Sequence, residues 1–412
     1  MRQTVALFLL LMMRQINETP VISGENWPEF RGPTGDGHAD AAVLPRRIDA
    51  ERVKWELDVS GKGWSSPVIW KDQIWLTTAT EDGREMSVLC VDLKTGKLLF
   101  NRVLVENEEP AFCHPMNSYA SPTPVVEEGR VYVHFGSYLT ACLDTESFKV
   151  LWERRDLECD HHRGPASSPI LHKNKLYVAY DGFDVQYVVA FDKDSGETVW
   201  RKDRKINYRT DNGDLKKAYG TASVIDVDGR DQLVYPSAIA SIAYDAETGE
   251  GIWTVYHAGM NASARPIYAD GYVYIINGMG AMVAVRPDGK GDVTDSHIGW
   301  SAERSVAKKS SALVINGKLY MNSDDGILTC RDTSTGEVSW QERIKGKYAA
   351  SPIYANGLVY CFGMAGEIVV FEPGSEFRLI SESQLGDGFM ASPAVAGNTL
   401  ILRSRTKLYC IQ

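Results

Sequence analysis

The stretch Ala190 to Trp200, AFDKDSGETVW, recurs with little change at Ala243 to Trp253, AYDAETGEGIW. Written A-x-D-x-x-[TS]-G-[KE]-x-x-W, it describes a strand, a tight turn and a returning strand. The Asp and the Thr or Ser hydrogen-bond the turn, the Gly supplies a positive φ, and the Trp on the outermost strand brings a large ring to bury between neighbours. Cys90 to Phe100, Cys142 to Trp152 and Cys330 to Trp340 are close variants. At Ala284 to Gly291 and Val370 to Ile380 the motif is degraded, so those units are expected to keep the hairpin with weaker locking to their neighbours.

Working outward, each hairpin belongs to a longer unit that opens on small residues, often with Pro, followed by an apolar pair, a turn and a β-rich run. The openings are Ser65-Ser66-Pro67, Ser121-Pro122-Thr123-Pro124, Ser167-Ser168-Pro169, Thr221-Ala222-Ser223, Ser263-Ala264-Arg265-Pro266, Ser310-Ser311-Ala312, Ala350-Ser351-Pro352 and Ala391-Ser392-Pro393. A spacing of about 40 to 57 residues suits one four-stranded blade with variable loops. Asp270-Gly271, Asn316-Gly317 and Asn356-Gly357 mark tight hairpins, and helical periodicity of useful length is absent. The last unit stops at Cys410-Ile411-Gln412, before an outer strand, while the strand-like Val53 to Val59 (VKWELDV), with Trp55, precedes the first unit. The pattern predicts an all-β, eight-bladed β-propeller of four-stranded antiparallel blades, its ring closed by an N-terminal outer strand so that no sheet edge is left open.

The 412-residue chain carries a formal charge of −10 and no basic run longer than a pair such as Lys216-Lys217 or Lys308-Lys309, which speaks against nucleic acid as a partner. Arg2 followed by the apolar Val5 to Met13 reads as an export signal too short to span a bilayer. The expected organisation is a signal peptide over 1–23, an N-terminal extension over 24–50 packing on the propeller, and the propeller over 51–412. The expected location is periplasmic or secreted, and the expected state is a monomer without a transmembrane segment. Of the seven cysteines, Cys90, Cys142, Cys330, Cys361 and Cys410 sit in apolar alternating runs and read as small buried hydrophobes.

The repeated AFDKDSGETVW-type hairpin resembles the propeller of pyrroloquinoline-quinone (PQQ) dehydrogenases and of the outer-membrane assembly lipoprotein of the Bam complex. The resemblance covers about residues 51–412. The leader Asn26 to Gly37 (NWPEFRGPTGDG) and the loops FCHPMNSYASP and CDHHRGPASSP resemble exported PQQ-like propellers of planctomycete type. PQQ chemistry is one implication, yet the chain has no vicinal Cys pair, and the calcium-binding Asn and Asp set of the dehydrogenases finds no match residue by residue. No cofactor is expected, with PQQ plus calcium, or a divalent metal, as the alternative.

Propeller ligands sit at the channel mouth, among the loops that lead into each innermost strand. Two of these loops are unusual and fall in matching register in adjacent blades. One holds Cys113, His114, Met116, Asn117 and Tyr119, the other Cys159, Asp160, His161, His162 and Arg163. Three readings stand side by side: a Cys113–Cys159 disulfide in an oxidising compartment, a metal site using His114 and His161, and loop packing or ligand contacts without either bond. Tyr208, Arg209, Lys216, Lys217, Tyr219, His257 and Asn261 belong to the same ring of loops, and Asp181 to Asp184 and Asp324-Asp325 add acids. The expected ligand-binding set is His114, Asn117, Tyr119, Asp160, His161, His162, Arg163, Lys217 and Tyr219. His114, Tyr119, His161 and Arg163 are the candidates should the site be catalytic. The leading expectation is a binding module for a small ligand, glycan or peptide. Its alternatives are a carbohydrate-active enzyme, of lyase or oxidoreductase type, and an envelope-assembly scaffold.

Overall fold

The computed structural model describes residues 26–412, so the segment read as a signal peptide lies outside the described residues. Eight antiparallel sheets follow one another along the chain. Blade 1 is built from Val68–Trp70, Gln73–Ala79, Glu85–Asp92 and Leu98–Glu106, blade 2 starts at Val125–Glu127, and blade 7 ends at Arg378–Gln384. Blade 8 takes three strands from the C-terminal end of the chain and its outer strand, Val53–Asp58, from the N-terminal side. Trp55 pairs with Cys410 in that sheet, so the closure read from the truncated last unit is made.

The repeat motif acquires a register. In seven blades the motif's first residue faces an aromatic ring across the outer pair of strands, as in Cys90 with Phe100, Cys142 with Trp152, Ala190 with Trp200 and Cys330 with Trp340, and a bulge falls at the same point. A small Ala or Cys opposite the ring leaves room for it, which is why Cys90, Cys142, Cys330 and Cys410 are fully buried there. Each ring then packs on the next blade. Trp152 lies against Gly196, where an added Cβ would stand 2.6 Å from the indole, and its Nε1 donates to Lys193 O at 2.9 Å. Trp55 on Gly96, Trp200 on Gly249 and Trp300 on Gly336 repeat the arrangement.

Trp300 corrects one expectation. Blade 5 carries its Trp after an insertion that holds a one-turn helix, Thr294–His297, and the two-residue strand Gly291–Asp292, which adds in parallel to blade 4. The motif is therefore displaced rather than weakened on that side, and Trp300 Nε1 donates to Thr333 O at 2.9 Å.

Around the channel the openings form a second, inner ring. The Ser66 N–H donates to Thr123 Oγ1 at 3.0 Å, Thr123 to Ser168 Oγ at 2.9 Å, and Ser168 to Thr221 Oγ1 at 3.0 Å. On the far side Arg265 donates to Ser311, Ser311 to Ser351 and Ser351 to Ser392, each at 2.9 Å, and Ser392 returns to Ser66 at 3.1 Å. Each hydroxyl satisfies a buried backbone donor of the preceding blade. Only blade 5 lacks the hydroxyl, because Arg265 occupies its position.

Arg265 serves the N-terminal extension instead. Residues 26–48 cross the lower face, on which the turns after the innermost strands lie: Trp27 bridges Ile69 of blade 1, the Val126 N–H donates to Pro28 O, and the Ala39 N–H donates to Tyr354 O of blade 7. Midway, Arg265 donates to Phe30 O at 2.6 Å and pairs with Glu29 at 2.8 Å, both charged side chains being nearly buried. Arg31 donates to Pro352 O at 3.2 Å, Ala312 O at 2.6 Å and the Asp36 carbonyl. The extension stoppers the channel from below.

Candidate functional site

The extension brings Phe30 to the lower end of the channel, among the residues that line the inner cavity. A cavity of about 180 Å³ has Phe30 as its floor and Ser66, Thr123, Ser168, Thr221, Ser351 and Ser392 of the hydroxyl ring in its wall. It merges, through Met116, Asn117, Ala166, Tyr219, Ser263 and Lys309, with a second cavity of about 280 Å³ bounded further by His114, Arg163, Asn261, Gly278 and Lys308. This off-centre recess is made by loops of blades 2 to 6.

Of the sequence-predicted residues, His114, Asn117, Arg163 and Tyr219 line the recess. His114 Nδ1 accepts the Met116 N–H at 3.1 Å, which leaves Nε2 for a ligand. Asn117 is a brace: its amide donates to Arg163 O at 2.9 Å and Pro165 O at 3.2 Å and accepts from Ser121 at 2.6 Å. Arg163 Nη2 lies 3.3 Å from Asp214, which also pairs with the buried Lys217. The hydrogen bond from Lys217 holds the Asp214 carboxyl below its usual range, so that a carboxylate fixes Arg163 from behind.

Other candidates point elsewhere. Tyr119 is buried, donates to Ala111 O at 2.6 Å and lies over Gly83, where a Cβ would meet its ring at 2.4 Å. Asp160 accepts the His162 N–H at 2.8 Å and shapes the turn that holds His162 at φ 57°. His161 turns between blades 2 and 3, where Nε2 accepts the Ser137 N–H at 3.1 Å and Nδ1 faces Cys159 Sγ at 3.7 Å. Burial pushes its pKa down to about 4, Asp160 and Asp184 opposing in part, so the ring is neutral. With its lone pair spent on a backbone donor, His161 has none for a metal, and among the described residues no three His, Cys, Asp or Glu side chains converge. The disulfide considered for the two loops is not formed: both cysteines are free, Cys113 Sγ facing Arg163 O at 3.6 Å and Cys159 facing His161.

Sequence reading passed over Lys308 and Lys309 as part of the site. They immediately precede the Ser310-Ser311 opening, the position that singled out the other loops, so the same rule finds them. Lys309 pairs with Asp324, whereas Lys308 is exposed and forms no ion pair among the described residues. Three polar atoms of the lining, Arg163 Nε, Tyr219 OH and Asn261 Oδ1, are buried without a hydrogen-bond partner among the described residues. Unmet donors and acceptors are costly in a folded interior; other such atoms lie elsewhere among the described residues, as on Arg204, Tyr235 and Tyr244, but these three belong to side chains that share one recess.

A quinone held by calcium, implied by the resemblance, does not fit this lining. Calcium takes six to eight oxygen ligands, several of them carboxylates, and no Asp or Glu lines either cavity. The hydroxyls of the channel wall are committed to the ring between blades.

Comparison with known proteins agrees with the fold. The chain is 25% identical over 202 residues to the outer membrane protein assembly factor BamB of Moranella endobia, covering 45% of this chain and 50% of that one. It is 25% identical over 154 residues to methanol dehydrogenase [cytochrome c] subunit 1 of Methylobacterium organophilum, covering 33% and 23%. The chain spans about half the length, or less, of the curated relatives it matches. Among solved structures, a europium-containing methanol dehydrogenase superimposes with a TM-score of 0.74 at 12% identity, over 93% of this chain and 90% of that one. BamB from Moraxella catarrhalis gives 0.62 at 14%, over 87% and 99%. Such identities carry the fold alone. The model of the family described as outer membrane protein assembly factor BamB matches residues 41–185 and 184–412, and with its eight PQQ-like blades the chain belongs to that family.

Proposed function

We propose that the protein is a binding module of the cell envelope that holds a small ligand in the recess at the upper channel mouth. The observation that carries this reading is one cavity lined together by the polar side chains His114, Arg163, Tyr219, Asn261 and Lys308, drawn from the loops of five blades. A cavity of this size, closed below by Phe30, suits a ligand of a few rings rather than a threaded chain. Binding is favoured over catalysis because the acid and base candidates are dispersed: His161 and Tyr119 are turned into loop packing, leaving His114 and Arg163 at the recess. Thermal-shift screening of a small-molecule library, followed by calorimetry on Arg163→Ala and Tyr219→Phe, tests it. Loss of binding in both variants at unchanged folding is expected; undiminished binding in both places the ligand elsewhere.

A second reading, an envelope-assembly scaffold, is favoured by the family match and by Leu99, Leu151, Val199, Val338 and Leu379, exposed on the outer strands of blades 1, 2, 3, 6 and 7. Pull-down from envelope extract, repeated with Leu151→Lys and Val338→Lys, separates the two.

A further inference from the structure

Beside the recess, the two unusual loops and the Asp181 to Asp184 turn raise a strip of rings. Phe112 and Phe183 are 62% and 39% exposed, and His162 stands between them, its ring centre 6.4 Å from Phe112 and 5.1 Å from Phe183. Single exposed apolar side chains need no explanation; two phenylalanines from separate loops meeting on one imidazole form a continuous surface. The strip is braced: Phe183 packs on Gly213, where a Cβ would come within 2.6 Å of its ring. Strip and recess share a carboxylate, since Asp214 lies 3.9 Å from His162 Nε2 and 3.3 Å from Arg163.

We infer that the module recognises an acidic oligosaccharide, one uronic acid unit seated in the recess and the next stacked on the Phe112–His162–Phe183 strip. This rests on the recess being the binding site. Three features point to this chemistry. The recess wall holds Arg163 and Lys309, backed by Asp214 and Asp324 outside the lining, and Lys308, which forms no ion pair among the described residues, and this suits an anion. The lining side chains Arg163, Asn261 and Tyr219 bring donors, an amide that gives and takes, and a hydroxyl that does both, and vicinal sugar hydroxyls give and take hydrogen bonds in the same way. The C–H faces of a pyranose carry the partial positive charge that the negative face of an aromatic ring attracts. A peptide fits less well, since strand addition needs an open sheet edge, and here loop side chains form the rim.

The test is calorimetry on the whole protein with mono- and trisaccharides of galacturonic, glucuronic and mannuronic acid and with the methyl-esterified trisaccharides. At least one trimer is expected to bind ten-fold or more tighter than its monomer. Its ester should bind at least ten-fold weaker. Phe112→Ala combined with Phe183→Ala should bring the trimer to the affinity of the monomer while leaving monomer binding unchanged and unfolding in urea cooperative. Equal binding of acid and ester, no gain with chain length, binding of none of the three acids, or preference for a tri-glutamate peptide each overturns the inference, and the recess reading survives if Arg163→Ala still abolishes binding of whatever ligand is found. A uronide whose affinity ignores Arg163→Ala sinks both.

Discussion

The channel plug gives the sharpest test of the fold. Glu29 and Arg265 form an ion pair at 2.8 Å with side chains 12% and 4% exposed. Glu29→Ala leaves the guanidinium buried with two neutral acceptors, Phe30 O and Ser223 Oγ. Removing one partner of a buried pair costs about 3 to 5 kcal/mol, because the other charge stays uncompensated. The remaining acceptors place this case near 3 kcal/mol. With about 2.1 cal/mol/K of unfolding entropy per residue, that corresponds to a Tm lower by roughly 3 to 4 °C for a chain of this length. Arg265→Ser strands the Glu29 carboxylate, but desolvation already raises its pKa so that it can take up a proton, and the serine restores the hydroxyl that the remaining blades present at this position, so the cost should be smaller, about 2 kcal/mol. In the double variant no charge is stranded, and its loss should fall short of the sum of the single losses by at least about 2 kcal/mol. Urea unfolding followed by tryptophan fluorescence, with the buried Trp27 inside the plug as a local reporter, measures all three. A Glu29→Ala loss under about 1 kcal/mol, or strict additivity, would refute the view that this pair anchors the extension in the channel.

Gly196→Ala should cost about 2 to 3 kcal/mol in the same assay, because Gly196 has φ +74° and its Cβ would strike the Trp152 ring; Gly229→Ala, at φ +77° with open space around it, should cost clearly less, and equal losses would count against blade locking. His134 and His257 are held neutral with His161, their pKa values pushed down to about 3 and 4 by burial. Since the unfolded chain protonates first, near 6.5, stability is full above that pH and should fall by about 1 to 2 kcal/mol per histidine between pH 6.5 and 5; a urea midpoint flat over that window contradicts it. Alkylation of denatured, unreduced protein should modify seven thiols, whereas five would mean that Cys113 and Cys159 are bonded.

What could be read in the chain alone is what the chain makes locally. In the AFDKDSGETVW hairpin Asp192 accepts the Ser195 N–H at 2.9 Å and the Ser195 hydroxyl at 3.0 Å, contacts three residues apart that any copy of the motif reproduces. Repetition of that unit, with Trp55 left over at one end and a missing strand at the other, determined the number of blades and the closure of the ring. The Ser and Thr openings were visible as a pattern, but their purpose, a hydroxyl offered to the blade before, exists only once the ring is closed. The plug joins Phe30 to Arg265 across 235 positions, and no local signal announces it beyond an Arg where other blades carry a hydroxyl. The recess was half legible: register identified the loops, but side-chain direction depends on neighbours in two blades at once. Packing between blades turned His161 inward to Ser137 and Cys159 and fixed Tyr119 on Ala111, while it brought Arg163, Tyr219 and Asn261, each with a buried unpartnered polar atom, to the wall of a common space. Backbone pattern is a short-range property and survives in the sequence; which polar atoms remain unsatisfied is a property of the closed ring.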